Sequence, residues 1–262
     1  MGKEATGNWF GGLPLKDQVA IITGGGSGIG RTTALTLAAA GAKVVVAARR
    51  KEKLLEVCEE IKANGGVGLA VRTDVTVQED IDNLVSATCE AFGKIDILVN
   101  NSGMALPRTS TLNVTREDWE KLFALNMTAA FFVTQAVARV MARNGGGRIV
   151  NVTSQRGINA LPEIVPYCTS KGAIMSMTKA LAIDLAPFNI NVNAIAPGYV
   201  MTDMVAGLLA DKERLQSVLD RTPLKKMGTQ EEMAAAILYF CIPQSSYTTG
   251  HTLILDGGWS CQ

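Results

Sequence analysis

The chain has 262 residues, 47% of them hydrophobic, with 25 basic and 24 acidic side chains and a formal net charge of +1. That balance excludes the broad positive field of a nucleic-acid binder, and the length supplies one sizeable α/β core without a second domain. No uncharged apolar run approaches the roughly twenty residues of a membrane span, and the amino terminus MGKEATGNWFGG lacks a secretion signal's hydrophobic core, so a cytoplasmic protein without membrane or nucleic-acid partners is expected.

Residues 1–13 read as a tail. Strand-like segments then recur near residues 18–22, 43–47, 67–72, 95–99, 148–152, 190–195 and 252–255, with helical stretches between them. This alternation predicts an α/β fold: a doubly wound parallel sheet of seven strands, helices on both faces and right-handed crossovers. A ligand then belongs at the carboxyl ends of the strands, where strand order reverses. Gly24, Asp74, Asn100, Ser154 and Pro197 each follow a predicted strand.

The first strand, QVAII, leads into Gly24-Gly25-Gly26-Ser27-Gly28-Ile29-Gly30 and then the helical run RTTALTLAAAG from Arg31 to Gly41. Glycines let the backbone turn tightly and approach a ligand, and the free N–H groups and dipole of a helix start attract a pyrophosphate. A surface loop is the plainer reading, but the position at the first strand-to-helix junction favours dinucleotide binding. The second strand ends VVVAARRKEKL, with Ala48, Arg49 and Arg50 where an acid would hold ribose hydroxyls. A guanidinium there grips a 2′-phosphate, so NADP(H) is favoured, with NAD(H) the alternative. Arg49 and Arg50 also read as the solvated start of a helix that continues through Lys51 and Lys53.

Tyr167 and Lys171 stand four residues apart in PYCTSKGAI, and Ser154 lies thirteen residues before the tyrosine. At about 3.6 residues per turn the pair projects from one helix face, where an ammonium lowers a phenol pKa from its usual ~10. Such a phenol exchanges a proton with an alcohol or carbonyl. The same spacing also occurs on solvated helix faces. Cys58, Cys89, Cys168, Cys241 and Cys261 form no CxxC and His251 is the only histidine, so no metal site is expected. Cys168, next to Tyr167, reads either as a redox-active thiol or as a small buried residue, and the second reading is favoured.

TGGGSGIG at Thr23 to Gly30, NNSG at Asn100 to Gly103, and Tyr167 with Lys171 follow the order of TGxxxGxG, NNAG and YxxxK motifs. On these residues the chain after Leu13 resembles the single-domain short-chain dehydrogenase/reductases. The resemblance implies one Rossmann-type catalytic domain over residues 14–262, moving a hydride between a nicotinamide cofactor and a carbonyl or secondary alcohol. It implies Tyr167 as proton donor in reduction and base in oxidation. Lys171 would lower the tyrosine pKa and hold the nicotinamide ribose, Ser154 would polarise the carbonyl, and Asn126 would hold a water leading to Lys171. Asn126 also reads as a buried amide that satisfies backbone.

The implied cofactor contacts are Gly24, Gly26, Ser27, Gly28, Ile29 and Gly30 in the loop, then Arg49 and Arg50, and Asp74 and Val75 beside the adenine. Asn100, Ser102 and Gly103 follow the adenosine, while Pro197, Gly198, Val200 and Thr202 join Tyr167 and Lys171 near the nicotinamide. Asp74 reads equally as a neighbour of the N-cap of helix QEDIDNLV.

A substrate lid is expected at about 199–227, containing the helix-like run MVAGLLADKERLQSVL. Gln155, Arg156, Ile164, Tyr199 and Met204 join Ser154 as substrate contacts. Arg156 either pairs with a substrate carboxylate or bonds a loop carbonyl, and the second reading is favoured. Within the family the chain is similar to gluconate 5-dehydrogenase-like and 3-oxoacyl carrier-protein reductase-like members. Ile183 stands where carrier-protein reductases often have a basic residue, so a small polar ketone, hydroxy acid or sugar acid is favoured. Reduction of a 3-oxoacyl thioester, with Arg143 as another basic contact, is the alternative. A silent NADP-binding sensor or scaffold, and an epimerase or dehydratase, are readings of other classes. Helices containing residues 116–141 and 165–186 and the ending GHTLILDGGWSCQ imply a homotetramer by the same resemblance; their apolar stripes would also cover the chain's own sheet.

Overall fold

The computed structural model describes residues 12–202 and 205–261. One parallel sheet holds seven strands: β1 (Val19–Thr23), β2 (Lys43–Ala48), β3 (Val67–Arg72), β4 (Ile97–Asn100), β5 (Gly147–Val152), β6 (Ile190–Pro197) and β7 (Thr252–Leu255). Each lies within two residues of its expected position. The order β3-β2-β1-β4-β5-β6-β7 reverses between β1 and β4, which register Ala20 against Ile97 and Ile22 against Val99.

The helices are α1 (Gly28–Ala39), α2 (Lys51–Ala63), α3 (Gln78–Phe92), α4 (Arg116–Phe123), α5 (Ala129–Arg143), α6 (Val165–Leu185), α7 (Ala206–Leu209), α8 (Lys212–Arg221) and α9 (Gln230–Cys241). β1 is buried throughout because both faces of the sheet are covered. Side chains alternate along a strand, so Ala20 and Ile22 meet Leu37 of α1, Leu54 of α2 and Phe240 of α9. Val19 and Ile21 meet Leu84 of α3, Val137 of α5 and Leu181 of α6. Burying one such aliphatic side chain stabilises by about 1.5–3 kcal/mol. The two layers therefore hold the strand ends, and the loops that leave them, in fixed positions.

α1 closes with paired bonds, Gly41 N donating to Ala38 O at 2.9 Å and Ala42 N to Leu37 O at 3.0 Å. α4 and α5 run together as one helix, Arg116–Arg143, through a π turn at Ala124–Thr128. By length and a mean hydropathy of 1.3 this helix could cross a membrane, although Asn126, Thr134 and Gln135 interrupt its apolar run. Here Val133, Val137 and Met141 are buried in the layer beneath the sheet.

The run expected as one lid helix is broken into α7 and α8. Asp211 separates them because its carboxylate accepts from Arg214 N at 3.0 Å and caps α8. Leu208 and Val218 pack on Trp259, with Tyr199 and Val205 beside them, so the segment is tied to the end of the chain. Of the expected tail, Gly12 and Leu13 are exposed, and its first eleven residues lie outside the described ones, as does Met204.

Candidate active site

At the carboxyl ends of the strands, a cleft of about 620 Å³ is lined by Gly24, Gly26, Ser27, Gly28, Ile29, Arg49, Arg50, Asp74, Val75, Ser102, Gly103 and Thr202. Gly30 lies behind the lining, and a Cβ there would come within 2.3 Å of Gly24 O and 2.4 Å of Asn101 Nδ2. Only glycine lets the start of α1 close on the loop this tightly. Gly24 itself adopts φ +66°, which an L side chain rarely enters. Ser27 is the N-cap of α1 but makes no side-chain capping bond, and no acid stands in the first turn. The N–H groups and dipole at that end are thus left for an anionic ligand, which suits a pyrophosphate.

Asn100 does not join the cleft. Its Nδ2 donates to Thr134 Oγ1 at 2.8 Å and Asn151 Oδ1 at 2.9 Å, and Asn151 Nδ2 donates to Thr178 Oγ1 at 2.9 Å. These buried amides tie β4 and β5 to α5 and α6. Leu98 already faces that layer, so the strand period sends Asn100 the same way and Asn101 to the cleft. Asn101 Nδ2 donates to Thr23 O at 3.1 Å and Gly24 O at 3.2 Å, bracing the glycine loop. The alternation was readable in the sequence and could have identified Asn101. Lys53 and Leu125 also line the cleft, brought there by α2 and the π turn without any motif to mark them.

Arg49 and Arg50 are exposed at the cleft and form no salt bridge among the described residues. Asp74 lines the cleft and also shapes the turn into α3, its Oδ1 accepting from Thr76 Oγ1 at 2.7 Å and Thr76 N at 3.0 Å. The Thr76 hydrogen bonds, helped by the charges of Arg49 and Arg72, hold its carboxyl below the usual range. Asp74 therefore both faces the cleft and holds the turn that leads into α3.

A narrower space of about 120 Å³ continues from the cleft past Pro197, Gly198 and Val200 to Ser154, Tyr167 and Lys171. Ser154 and Tyr167 also form the wall of a second cavity of about 350 Å³, together with Gln155, Arg156, Ile164 and Tyr199. Burial pushes the Tyr167 phenol above its ordinary pKa, with a Ser154 hydrogen bond and then the Arg156 charge pulling it down. The expected lowering by Lys171 is absent from this arrangement. Its Nζ lies 5.8 Å from the Tyr167 ring centroid and donates to Val152 O at 3.1 Å. Burial lowers Lys171 to about 8.

Asn126 sits in the π turn, a distortion that often marks functional positions. Its Oδ1 accepts from Met104 N at 2.8 Å, while its Nδ2 donates to Met104 O at 3.0 Å and Ser170 Oγ at 3.2 Å. The side chain thus satisfies backbone, beside Gly103 and close to Lys171: a Cβ on Gly103 would lie 3.3 Å from Asn126 Oδ1 and 3.5 Å from Lys171 Nζ.

After β5, Ser154 Oγ accepts from Arg156 N at 3.1 Å and starts the turn Gln155–Gly157. Gln155 is buried, its amide placed between Asp256 Oδ2 and Arg156. Among the described residues Arg156 donates to no loop carbonyl; its Nη1 donates to Asn159 Oδ1 at 2.7 Å. Its guanidinium carbon lies 5.3 Å from the Tyr199 ring centroid and 5.0 Å from that of Trp259. Arg143 ends α5 just before β5 begins, at the opposite end of the sheet, and neither it nor exposed Ile183 lines the cavity.

A family model described as enoyl-(acyl carrier protein) reductase matches residues 24–260. A 3-oxoacyl-[acyl-carrier-protein] reductase of Synechocystis sp. is 39% identical over 246 residues, 93% of this chain and 97% of that protein. A gluconate 5-dehydrogenase of Gluconobacter oxydans is 38% identical over 244 residues, 93% of this chain and 95% of that protein. Among solved structures, a gluconate 5-dehydrogenase from Burkholderia cenocepacia in complex with NADP and tartrate superposes with a TM-score of 0.91 at 34% identity, covering 95% of this chain and 97% of that one. With the sheet order, the glycine loop and the Ser154, Tyr167 and Lys171 cluster already in place, these likenesses establish that the chain belongs to the short-chain dehydrogenase/reductase family, as an oxidoreductase with dehydrogenase and reductase relatives that act on CH–OH groups.

Proposed function

We propose that the protein is an NADP(H)-dependent oxidoreductase that interconverts a carbonyl and a secondary alcohol on a small polar ketone, hydroxy acid or sugar acid. The observation that carries this reading is the position of Ser154 and Tyr167 in the wall shared by the second cavity and the narrow space that extends the dinucleotide-sized cleft. Bound in the cleft, a nicotinamide supplies the hydride chemistry. Tyr167 gives its phenolic proton to the carbonyl oxygen in reduction and recovers it in oxidation, and Ser154 donates a second hydrogen bond to the same oxygen. Lys171 keeps a positive charge close behind the phenol and would hold the ribose, while Asn126 fixes the Met104 backbone beside it.

One relative supports an acidic substrate and a phosphate-bearing cofactor, a gluconate 5-dehydrogenase solved with NADP and tartrate. Reduction of a 3-oxoacyl thioester is the second reading. It is favoured by the 39% identical carrier-protein reductase and by the aliphatic wall that Leu106, Leu122, Leu161 and Leu208 give the cavity. In either case residues 14–262 act as one catalytic domain, with the segment at about 199–227 as a lid; Tyr199, Val205 and Leu208 in the cavity wall support that role. Exposed Trp119, Phe131, Phe132 and Ile183 on α4, α5 and α6 support a homotetramer, and five free thiols suit a reducing cytoplasm.

The test is to mix the protein with NADPH or NADH and a panel of ketones, oxo acids, sugar acids and acyl thioesters, following loss of reduced-cofactor absorbance. Turnover of oxo or sugar acids with NADPH is expected; no turnover of any carbonyl with either cofactor would sink the reading in favour of a silent sensor. Arg49→Ser is expected to raise the KM for NADPH about tenfold or more, through loss of a charge-assisted contact, and to leave that for NADH within about twofold. Equal effects on the two cofactors would discard Arg49 as the phosphate ligand.

A further inference from the structure

Resting on the oxidoreductase reading above, we infer that Arg156 is a specificity-determining anchor for a substrate carboxylate, so that the substrate is an oxo acid or hydroxy acid carrying an aliphatic remainder. Four other charged groups reach the cavity wall: Arg108, Glu163 and Arg214 are exposed and Asp118 is half-buried. Arg156 is 6% exposed, and among the described residues no carboxylate pairs with it. Taking a cation out of water without a counter-ion is costly, and such a group is retained where a ligand supplies the missing charge.

Its surroundings hold it ready for that role. The guanidinium is flanked by the Tyr199 and Trp259 rings at 5.3 and 5.0 Å, and Asn159 takes one donor at 2.7 Å, which orients the planar group. Asn159 is held in turn by Ser260 Oγ at 2.8 Å, and Ser260 by Asp256. The turn that carries Arg156 starts at Ser154, so the anion contact and the carbonyl contact are built two residues apart on one rigid piece of backbone. A carboxylate on Arg156 therefore lies close to a carbonyl placed between Ser154 and Tyr167. The remainder of the substrate meets the aliphatic wall of the 350 Å³ cavity.

The experiment measures kcat/KM for straight-chain oxo acids, each beside its own methyl ester, with wild type, Arg156→Gln and Arg156→Lys. Acid and ester are read on one preparation, so any loss of folded enzyme cancels in their ratio. Wild type is expected to prefer the acid. Arg156→Gln is expected to lose about 10- to 100-fold on the acid and less than about threefold on the ester, with Arg156→Lys between them. A parallel fall on acid and ester, or a wild-type preference for the ester, overturns the anchor. Calorimetric titration with tartrate reads the anion contact without catalysis, and binding that Arg156→Gln abolishes supports it. Turnover of neutral ketones without acid preference or Arg156-dependent tartrate binding overturns the anchor and leaves the oxidoreductase reading standing. Arg156-dependent tartrate binding with no carbonyl reduced at all supports the anchor and overturns that reading.

Discussion

Tyr167→Phe is expected to lower kcat by about 10²- to 10⁴-fold while the dissociation constant for the cofactor stays unchanged, because the substitution removes only the group that moves the proton. The ring remains to fill its place between the two cavities, and Ser154 remains to bond the carbonyl oxygen. Residual activity should therefore reflect hydrogen bonding and positioning without proton transfer. The raised phenol pKa gives the effect a direction. At neutral pH the hydroxyl keeps its proton, which suits donation in reduction and opposes removal of a proton in oxidation. Wild-type oxidation should accelerate as pH rises through the alkaline range, and the variant's slow rate should lack that rise. Steady-state rates in both directions, with cofactor binding followed by fluorescence, check both statements; a variant with normal turnover removes Tyr167 from the chemistry.

The second large effect concerns stability. Lys171 is 6% exposed and titrates at about 8 in the folded, cofactor-free chain, against 10.5 as a free side chain, because burial penalises its charge. Between those two pH values the unfolded chain holds a proton that the folded chain has released, so stability rises with pH across that window. Below it the buried charge costs the fold about 3 kcal/mol, taking about 1.4 kcal/mol per pH unit of separation. Lys171→Met removes this titration. The stability of wild type minus that of the variant should climb by up to about 3 kcal/mol between pH 7 and pH 10.5. Cys241, pushed up to about 12 by burial, and Tyr167 act in the opposite sense at high pH, but both proteins share them and the difference removes them. Urea unfolding across the range supplies the measurement, and a flat difference would show that Lys171 carries no such penalty. A charge retained at this cost, 5.8 Å from the Tyr167 ring centroid, accords with a functional rather than a stabilising role.

Local chemistry was enough to place much of the protein. Strand positions follow from short apolar, β-branched runs, and the glycine loop announces its own turn because Gly30 and Gly24 meet where no Cβ fits. Tyr167 and Lys171 share a face of α6 by helical period alone. All of these depend on neighbours within about one turn or one strand, which a linear chain displays directly.

What the tertiary structure decided is which distant groups each side chain meets. The sequence by itself determined that Lys171 stands near Tyr167; the packing of α6 on β5 decided that its hydrogen bond goes to Val152 O. Asn100 and Asn101 are identical in type and adjacent, yet burial against Thr134 and Asn151 takes the first and the loop carbonyls of Thr23 and Gly24 take the second. Arg156 acquires Tyr199 and Trp259 only because the chain end returns across the lid. The physical reason is common to all three: a side chain's rotamer, desolvation and partners are set by elements brought together through sheet order and layer packing, and no short-range period records those encounters.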